Sequence, residues 1–407
     1  MSDLTAQVQE LFLKNCRQKG EFQYTVPSPD SYPYQWLWDS CFHAIILSHF
    51  NLEGAKKELL SLTSKQFSDG MIPHMIYWEK ASKTDFPVIE WGKNDTSTIT
   101  QPPMLALAVW QIYKTDKDLK FVEDIYPSLV RFYKYFLTER DSRSKHLVSI
   151  INPDESGEDN SSRFDIGLGL PITQTQDQNF KKRVELIEKN HKECNFEARN
   201  CMKNFFWIKD VPINAILVEN LKILSEIALL LRKDSDSDYF FHHAQQIKNA
   251  MRKWMMEDGV LWSIYLPDYR DPQSNYQKIE VKSWAMFAPL FAKIYTQKEA
   301  EGLIYDYLEN ESEFKTPYLL PTVSTSDPSF DPNGFWRGPV WMATNWFIYK
   351  GLQKYGFDRQ AEEIKKSSIE LLEKSGFREQ FNPITGEGYG AHNFTWGGLV
   401  LDMTSKN

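Results

Sequence analysis

The chain of 407 residues has little cysteine and no long uncharged apolar run. Its four cysteines, Cys16, Cys41, Cys194 and Cys201, are too few for a disulfide framework and none lies in a CxxC pair, so we expect a reducing cytoplasm as its compartment. No apolar segment approaches the roughly 18 residues that a membrane-spanning helix needs. The N-terminus alternates polar and apolar residues at helical spacing, which differs from the basic start and apolar core of a secretory signal.

The sequence also lacks an excess of positive charge, with 47 Lys and Arg against 55 Asp and Glu residues. The formal charge of −8 gives no electrostatic basis for binding nucleic acid or an anionic membrane, since both require a basic surface. We expect neither as a partner, and homo-oligomerisation stays open.

Motifs for phosphate, zinc and serine chemistry are missing as well. The sequence contains no P-loop, no H-E-x-x-H and no G-x-S-x-G, and its adjacent histidines, His242 and His243, fall on a predicted outer helix. We therefore expect no metal and no cofactor. Carboxylates are the groups that remain for proton transfer.

Helical periodicity dominates the sequence and predicts an all-α fold. Single helices are predicted at 3–18 and 395–404, and strand-like text is confined to 260–265 and 389–394. The remaining helices form pairs with short turns, predicted at 39–50 with 53–67, 100–114 with 117–138, 210–232 with 236–256, 281–294 with 297–309, and 338–354 with 357–375.

Within several pairs the first helix is the more apolar and the second bears the charges, as in 339–349 followed by 359–366. A helix that is apolar all round is buried, whereas one with a polar stripe faces water. This alternation predicts an inner and an outer helical ring, an (α/α)6 barrel. An open solenoid would instead show a fixed sequence period.

Residues 1–407 contain no Gly/Ser/Pro-rich linker, so we expect a single domain. Four connections exceed the few residues that are usual between paired helices, and long ordered loops of this kind tend to be functional. We expect these excursions at 19–38, 70–99, 139–209 and 310–337.

Aromatic and acidic residues concentrate in or beside these connections, in five segments at 32–43, 69–78 with 100–103, 154–165, 331–341 and 378–396. Taken alone, Asp39 is typical of a helix cap, Gln101 is about as typical of a cap as of a site residue, and 154–165 is typical of a solvated loop. Four of the segments, however, precede predicted inner helices, whose N-termini gather at one mouth of such a barrel. Aromatic faces beside carboxylates and amides form a sugar-binding surface.

Four motifs together resemble glycoside hydrolase family 63, and above all its compact bacterial branch of mannosylglycerate and glucosylglycerate hydrolases: Gln35–Ala44, Ser156–Ser161, Trp336–Trp341 with Asn345-Trp346, and Glu379–Gly388. The resemblance implies an (α/α)6 barrel and an inverting α-glycosidase, with Asp159 as general acid and Glu379 as general base. The sugar-pocket and substrate-binding residues expected from these motifs are Tyr34, Trp36, Trp38, Asp39, Tyr77, Gln101, Asn160, Arg163, Trp336, Arg337, Gly338 and Trp341.

Two positions depart from the family pattern. Ser162 stands where these relatives have proline, which we expect to leave the acid's loop less stiff, and Phe335 stands where tyrosine is frequent. A glycerate aglycone would need a cation near its carboxylate, and Arg163, Arg337 and the run 181–183 are candidates for it.

Inversion requires two carboxyl groups on opposite faces of the sugar, separated by room for a water molecule. The acid's pKa must be held up by its surroundings, and the base must be kept ionised by hydrogen bonds or by a cation such as Arg378. We therefore expect hydrolysis of a small α-glucoside or α-mannoside, glucosylglycerate or mannosylglycerate foremost. An α-glucosidase for short oligosaccharides, a sugar epimerase on the same barrel and a non-catalytic sugar-binding protein are the alternatives.

Overall fold

The computed structural model describes residues 2–79, 91–93, 95–268, 271 and 273–405, and helices dominate them. The helices are α1 Ser2–Asn15, α2 Leu37–Leu47, α3 Leu52–Thr63, α4 Leu105–Asp116, α5 Leu119–Glu139, α6 Asp165–Leu168, α7 Gln176–Cys194, α8 Ala198–Asn204, α9 Val211–Leu230, α10 Asp234–Trp254, α11 Ala288–Phe291, α12 Gln297–Leu303, α13 Met342–Tyr355, α14 Asp358–Ser375 and α15 Val400–Thr404.

Short strands accompany the helices, so the fold is helix-rich rather than purely helical. The strands are β1 Cys16–Lys19, β2 Phe22–Thr25, β3 Gln35–Trp36, β4 Met75–Ile76, β5 Ile208–Lys209, β6 Met256–Glu257, β7 Val260–Leu261, β8 Ser263–Tyr265, β9 Gln277–Ile279, β10 Arg378–Phe381 and β11 Gly388–His392. They pair as β1-β2, β3-β4, β5-β8-β9, β6-β7 and β10-β11, and every one of these pairs is antiparallel.

Four of the five predicted helix pairs are confirmed, as α2 with α3, α4 with α5, α9 with α10 and α13 with α14. The fifth pair is broken. A 3-10 turn at Trp284–Met286 precedes the four-residue α11, and Pro289 within the segment cannot donate a helical hydrogen bond. The predicted first helix ends at Asn15, because the next four residues pair with β2 instead.

The segment 139–209, predicted as a loop, contains α7 and α8. The polar α7 has few apolar residues, so its periodicity is weak. It begins at a capping box in which Thr175 and Gln178 exchange side-chain and backbone hydrogen bonds. Its last residue, Cys194, is disulfide-bonded to Cys201 of α8. The expectation of reduced cysteines is therefore wrong for this pair, and the cytoplasmic location loses its cysteine argument.

The apolar helices contact one another in sequence: α2 packs on α4, α4 on α9, α9 on α11, and α11 on α13. The 3-10 turn Thr395–Leu399 then contacts both α13 and α2. All residues of α2 are buried. In α14, by contrast, the buried residues recur at three- and four-residue spacing and the rest face water. One continuous apolar core extends from Val8 to Met403.

Within the described ranges, every helix is too short or too polar to cross a membrane.

Candidate active site

A cavity opens near the N-terminal ends of several apolar helices. Residues from segments far apart in the chain line it: Pro27, Tyr32, Trp36, Trp38, Asp39, His74, Gln101, Asp154, Gly157, Asp159, Phe335, Trp336, Trp341, Glu379, Phe394 and Trp396. The wall combines aromatic rings with carboxyl and amide groups, which is the composition that a sugar requires.

Indole rings form one side of this cavity. Trp336 and Trp341 stack with their centroids 3.9 Å apart and their planes 6° from parallel. Trp396 meets Trp38 edge to face at 4.9 Å. The indole N–H of Trp341 donates to the backbone carbonyl of Phe335, 3.0 Å away, and Phe335 has a left-handed backbone with φ of 62°. The rings therefore support one another as a rigid apolar surface.

Glu379 lies on β10, and its buried carboxylate receives two hydrogen bonds. The Tyr32 hydroxyl donates to Oε1 at 2.6 Å, and the backbone N–H of Ala391 on β11 donates to Oε2 at 2.8 Å. Burial raises the pKa of Glu379 to about 7, although both hydrogen bonds lower it. The charge of Asp159 raises this pKa further and that of Arg378 lowers it. A carboxyl group with such a pKa can exchange a proton near neutrality.

Glycine is needed beside Glu379 and in the turn that bears Asp159. Gly390 has φ of 68°, and a Cβ there would lie 2.2 Å from Oε2 of Glu379. Gly157 has φ of 75°, and a Cβ there would lie 2.3 Å from the Trp38 ring. Each position therefore excludes a larger side chain on grounds of both space and backbone conformation.

Asp159 and its neighbour Glu158 point to different environments. Glu158 is buried outside the cavity lining; both its oxygens lie 3.0 Å from Arg163, and the Trp284 indole N–H donates to it at 2.6 Å. Arg163 also pairs with Asp210 at 3.2 Å. These buried contacts fix the turn and direct Asp159 toward the cavity.

The carboxylate of Asp159 pairs with Arg183 of α7 at 2.8 Å. Burial raises the pKa of Asp159, the Arg183 charge lowers it, and the charge of Asp154 raises it, leaving it above its ordinary value. A carboxyl group whose pKa is raised retains a proton to a higher pH, which suits a general acid.

Asp39 lies in the first turn of α2, and Gln101 lies in the segment just before α4. The Trp396 indole N–H donates to Oδ1 of Asp39 at 2.7 Å, and Gln101 Oε1 accepts from the backbone N–H of Trp38 at 3.2 Å. The Asp39 side chain caps no helix; burial raises its pKa to about 6. Both side chains thus line the cavity rather than only terminating a helix.

His74 also lines the cavity, with Nδ1 2.6 Å from the Ser97 hydroxyl. Burial lowers its pKa to about 4, so the ring is neutral at physiological pH. Across the described part of the chain, no three His, Cys, Asp or Glu side chains cluster as metal ligands would.

A model of the mannosylglycerate hydrolase MGH1-like glycoside hydrolase domain matches residues 32–397. The chain belongs to this glycoside hydrolase family. It is 34% identical to the mannosylglycerate hydrolase of Thermus thermophilus over 406 residues, covering 92% of this chain and 94% of the relative.

Two further proteins resemble this chain over almost its whole length. The crystal structure of a GH63 mannosylglycerate hydrolase from Thermus thermophilus with Tris and D-glycerate superposes with a TM-score of 0.86 at 31% identity, covering 98% of this chain and 99% of that one. The glucosylglycerate hydrolase of Mycolicibacterium hassiacum is 25% identical over 438 residues, covering 93% of each chain. The resemblance to glycoside hydrolase family 63 is confirmed.

Eight of the residues singled out from the sequence of this MGH1-like hydrolase line the cavity: Trp36, Trp38, Asp39, Gln101, Asp159, Trp336, Trp341 and Glu379. The other six lie outside that wall: Tyr34, Tyr77, Asn160, Arg163, Arg337 and Gly338. Tyr34 and Tyr77 pack edge to face at 4.8 Å in a satellite core.

Asn160 and Arg337 join the turn that bears Asp159 to the loop that bears Trp336, and Gly338 ties that loop to Thr322. Asn160 Oδ1 accepts from the Trp336 backbone N–H at 2.9 Å, and Arg337 pairs with Asp165 at 2.5 Å. The Gly338 backbone N–H donates to the Thr322 hydroxyl at 3.0 Å. Because their polar groups are engaged with the protein, these residues support the wall instead of forming it.

Ser162, expected to loosen the loop that bears Asp159, is buried, and its hydroxyl lies 2.8 Å from the Ser329 hydroxyl, within hydrogen-bond distance. Ser329 in turn donates to Asp327 at 2.7 Å. The position that lacks proline is therefore tied to another segment.

Sequence reasoning missed several cavity residues of this hydrolase, among them Tyr32, Asp154, Phe394 and Trp396. Tyr32 and Trp396 stand inside the aromatic segments, so a signal for them was present in the sequence. Arg183 was expected only as one member of the basic run 181–183, because its helix lies in a segment predicted as a loop.

Proposed function

We propose that the chain folds as an (α/α)6 barrel that forms a single domain over 1–407. The order in which its helices contact one another supports this arrangement. Its inner ring would comprise α2, α4, α9, α11, α13 and the segment 395–404. The contact of Thr395–Leu399 with both α13 and α2 supports closure of this ring. We also propose a cytoplasmic location, which the cysteines do not support because Cys194 and Cys201 are disulfide-bonded.

We propose that the chain is an inverting α-glycosidase that hydrolyses mannosylglycerate or glucosylglycerate. One observation carries the assignment: Asp159 and Glu379, from distant segments, line the same aromatic cavity, and the pKa of each is raised. The names of relatives covering more than nine-tenths of the chain support the glycerate aglycone.

In the proposed reaction, Asp159 gives its proton to the glycosidic oxygen as the bond from that oxygen to the anomeric carbon breaks. The bond's electron pair stays on the departing oxygen. A water molecule attacks the anomeric carbon from the opposite face, and Glu379 takes a proton from it. Asp159 ends ionised, Glu379 ends protonated, and exchange with solvent restores both.

The hydrogen bonds to Glu379 support its role as the base. Both donors, the Tyr32 hydroxyl and the Ala391 N–H, favour the ionised carboxylate and orient it. Burial opposes them, so the base stands near neutrality. Stacking of a sugar on Trp336 or Trp341 would leave its hydroxyls for Asp39 and Gln101.

The test measures the anomer first released from mannosylglycerate and glucosylglycerate by NMR, with trehalose, kojibiose and maltose as comparison substrates. Release of the β-anomer first supports inversion, whereas release of the α-anomer first contradicts it. We expect Asp159→Asn and Glu379→Gln each to lose at least about 10³-fold in kcat while still binding sugar. An epimerase would tolerate both substitutions, and a sugar-binding protein would show no turnover.

A further inference from the structure

One guanidinium joins two cavity carboxylates. Arg183 Nη1 lies 2.6 Å from Oδ1 of Asp154, and Nη2 lies 2.8 Å from Oδ2 of Asp159. Asp154 and Asp159 line the cavity, whereas Arg183 stands behind them, with its side chain 8% exposed. A single cation thus serves two carboxyl groups.

The Arg183 side chain is held in place from several directions. Its Nε donates to Asn179 Oδ1 at 2.8 Å, one turn earlier on α7. The helix itself is tied to the segment before the acid's turn, since the Asn190 side chain donates to the Ile151 carbonyl at 3.1 Å. Asn152 caps that segment by accepting from the backbone N–H of Asp154 at 2.8 Å. The guanidinium is therefore a fixed part of the site.

One carboxylate oxygen of Asp154, Oδ2, is buried without a hydrogen-bond donor among the described residues. A buried acceptor without a donor is costly and is rare in folded proteins. Arg183, on the other oxygen, is the cation that holds this carboxyl group.

The charged and titratable groups acting on Asp159 come from four segments. Arg183 on α7 favours its ionised form, and Asp154 on its own turn disfavours that form. The Tyr32 hydroxyl and Glu379 of β10 complete the surroundings, and both interact electrostatically with Asp159. Two carboxylates facing one cation favour retention of one proton.

We propose that Asp154 and Arg183 are positioning residues for the acid step: Arg183 clamps both carboxyl groups, and the negative charge of Asp154 keeps a proton on Asp159 for transfer to the leaving oxygen. The inference rests on the proposed role of Asp159. Asp154 and Arg183 themselves neither gain nor lose a proton during the reaction.

Asp154→Asn removes that charge and leaves Arg183 facing Asp159 alone. The pKa of Asp159 then falls, so the acid ionises at lower pH. We expect the basic limb of the kcat/KM profile for mannosylglycerate to move down by about one pH unit, which is about tenfold lower activity on that limb. With α-mannosyl fluoride, whose leaving group needs little protonation, we expect activity within about twofold of the wild type.

Arg183→Lys and Arg183→Gln provide a second measurement. Lysine keeps the charge but cannot grip two carboxylates as a fork, so we expect it to restore part of the mannosylglycerate activity that glutamine loses. Asp177→Asn, at an exposed position on the same helix, is the matched control and should leave both substrates and the basic limb unchanged.

Equal losses on both substrates, or an unmoved basic limb in Asp154→Asn, would overturn the inference. If Asp154→Asn fails to fold by circular dichroism, the Arg183 pair decides by the same comparison, and equal activity of its two variants overturns the inference. The proposed function fails by a different result, namely full mannosylglycerate hydrolysis by Asp159→Asn.

Discussion

The hydroxyl of Tyr32 donates a 2.6 Å hydrogen bond to Oε1 of Glu379, linking the loop before β3 to the strand β10. This bond favours the ionised carboxylate against the burial that disfavours it. Tyr32→Phe should therefore raise the pKa of Glu379 and move the acidic limb of kcat/KM to higher pH. We expect about a tenfold loss near pH 6, the equivalent of one hydrogen bond to a charged group.

The control for this substitution is Tyr265→Phe, which removes a hydroxyl that donates to Gln277 at 2.7 Å, outside the cavity. It should leave the pH profile as in the wild type. A Tyr32→Phe enzyme with an unmoved acidic limb would contradict this account of the base.

Gly390→Ala tests the space that Glu379 needs. The new Cβ would lie 2.2 Å from Oε2, so the carboxylate or the β10-β11 turn must shift. We expect kcat/KM to fall by about 10²-fold, since a shift of about 1 Å in the proposed base, Glu379, is enough to misalign it. Gly356→Ala is the matched control, because it has a similar φ of 77° but no atom within 4 Å of the added Cβ.

Backbone strain alone should make both glycine variants less stable by similar amounts in urea unfolding. If Gly356→Ala lost as much activity as Gly390→Ala, the effect would be general destabilisation, and the close contact with Glu379 would not be its cause.

The sequence predicted α2 and α14 well because the pattern of apolar residues in each helix matches the surface that it buries. In α2 every residue is buried, and in α14 the buried residues follow the helical period. Periodicity reports burial. Where a helix buries little apolar surface, as α7 does, the signal weakens and the sequence predicts a loop.

The same reasoning explains which candidate site residues were placed well. Trp36, Trp38 and Asp39 are adjacent in the chain and reach the cavity together, so a local motif describes them. Arg163 belongs to a local motif too, but it forms buried ion pairs with Glu158 and Asp210 and does not line the cavity. That outcome depends on a residue 47 positions away, which no local pattern contains.

Glu158→Gln tests whether the buried ion pair with Arg163 maintains the turn that bears Asp159. The substitution removes one of the two carboxylates beside Arg163 and leaves Asp210 as its counter-ion, so the cost in the free energy of unfolding is that of weakened hydrogen bonds to a charged group, about 1.5–3 kcal/mol. We expect that loss in urea unfolding, together with reduced kcat for glycosides. Glu185→Gln, which breaks an exposed pair with Lys182, should change stability by less than about 0.5 kcal/mol.

The raised pKa of Glu379 also makes a prediction about stability. Its folded-state pKa of about 7 exceeds the ordinary value of 4.5, so the folded protein binds this proton more tightly than the unfolded chain. Below about pH 4.5 the burial of Glu379 costs the free energy of unfolding nothing through ionisation. Between pH 4.5 and 7 the free energy of unfolding falls, because the buried carboxyl group must ionise in the folded protein. Above pH 7 this loss reaches about 3 kcal/mol.

Glu379→Gln removes this titration and should therefore be more stable, relative to the wild type, at pH 8 than at pH 5. The comparison is the pH-dependent part of the difference in unfolding free energy, because the amide also changes the hydrogen bonds from Tyr32 and Ala391 by a pH-independent amount. A difference that stays constant from pH 5 to pH 8 would mean that Glu379 titrates alike in the folded and unfolded chain. Burial would then have left its pKa unchanged, and the poised base proposed for this cavity would lose its physical basis.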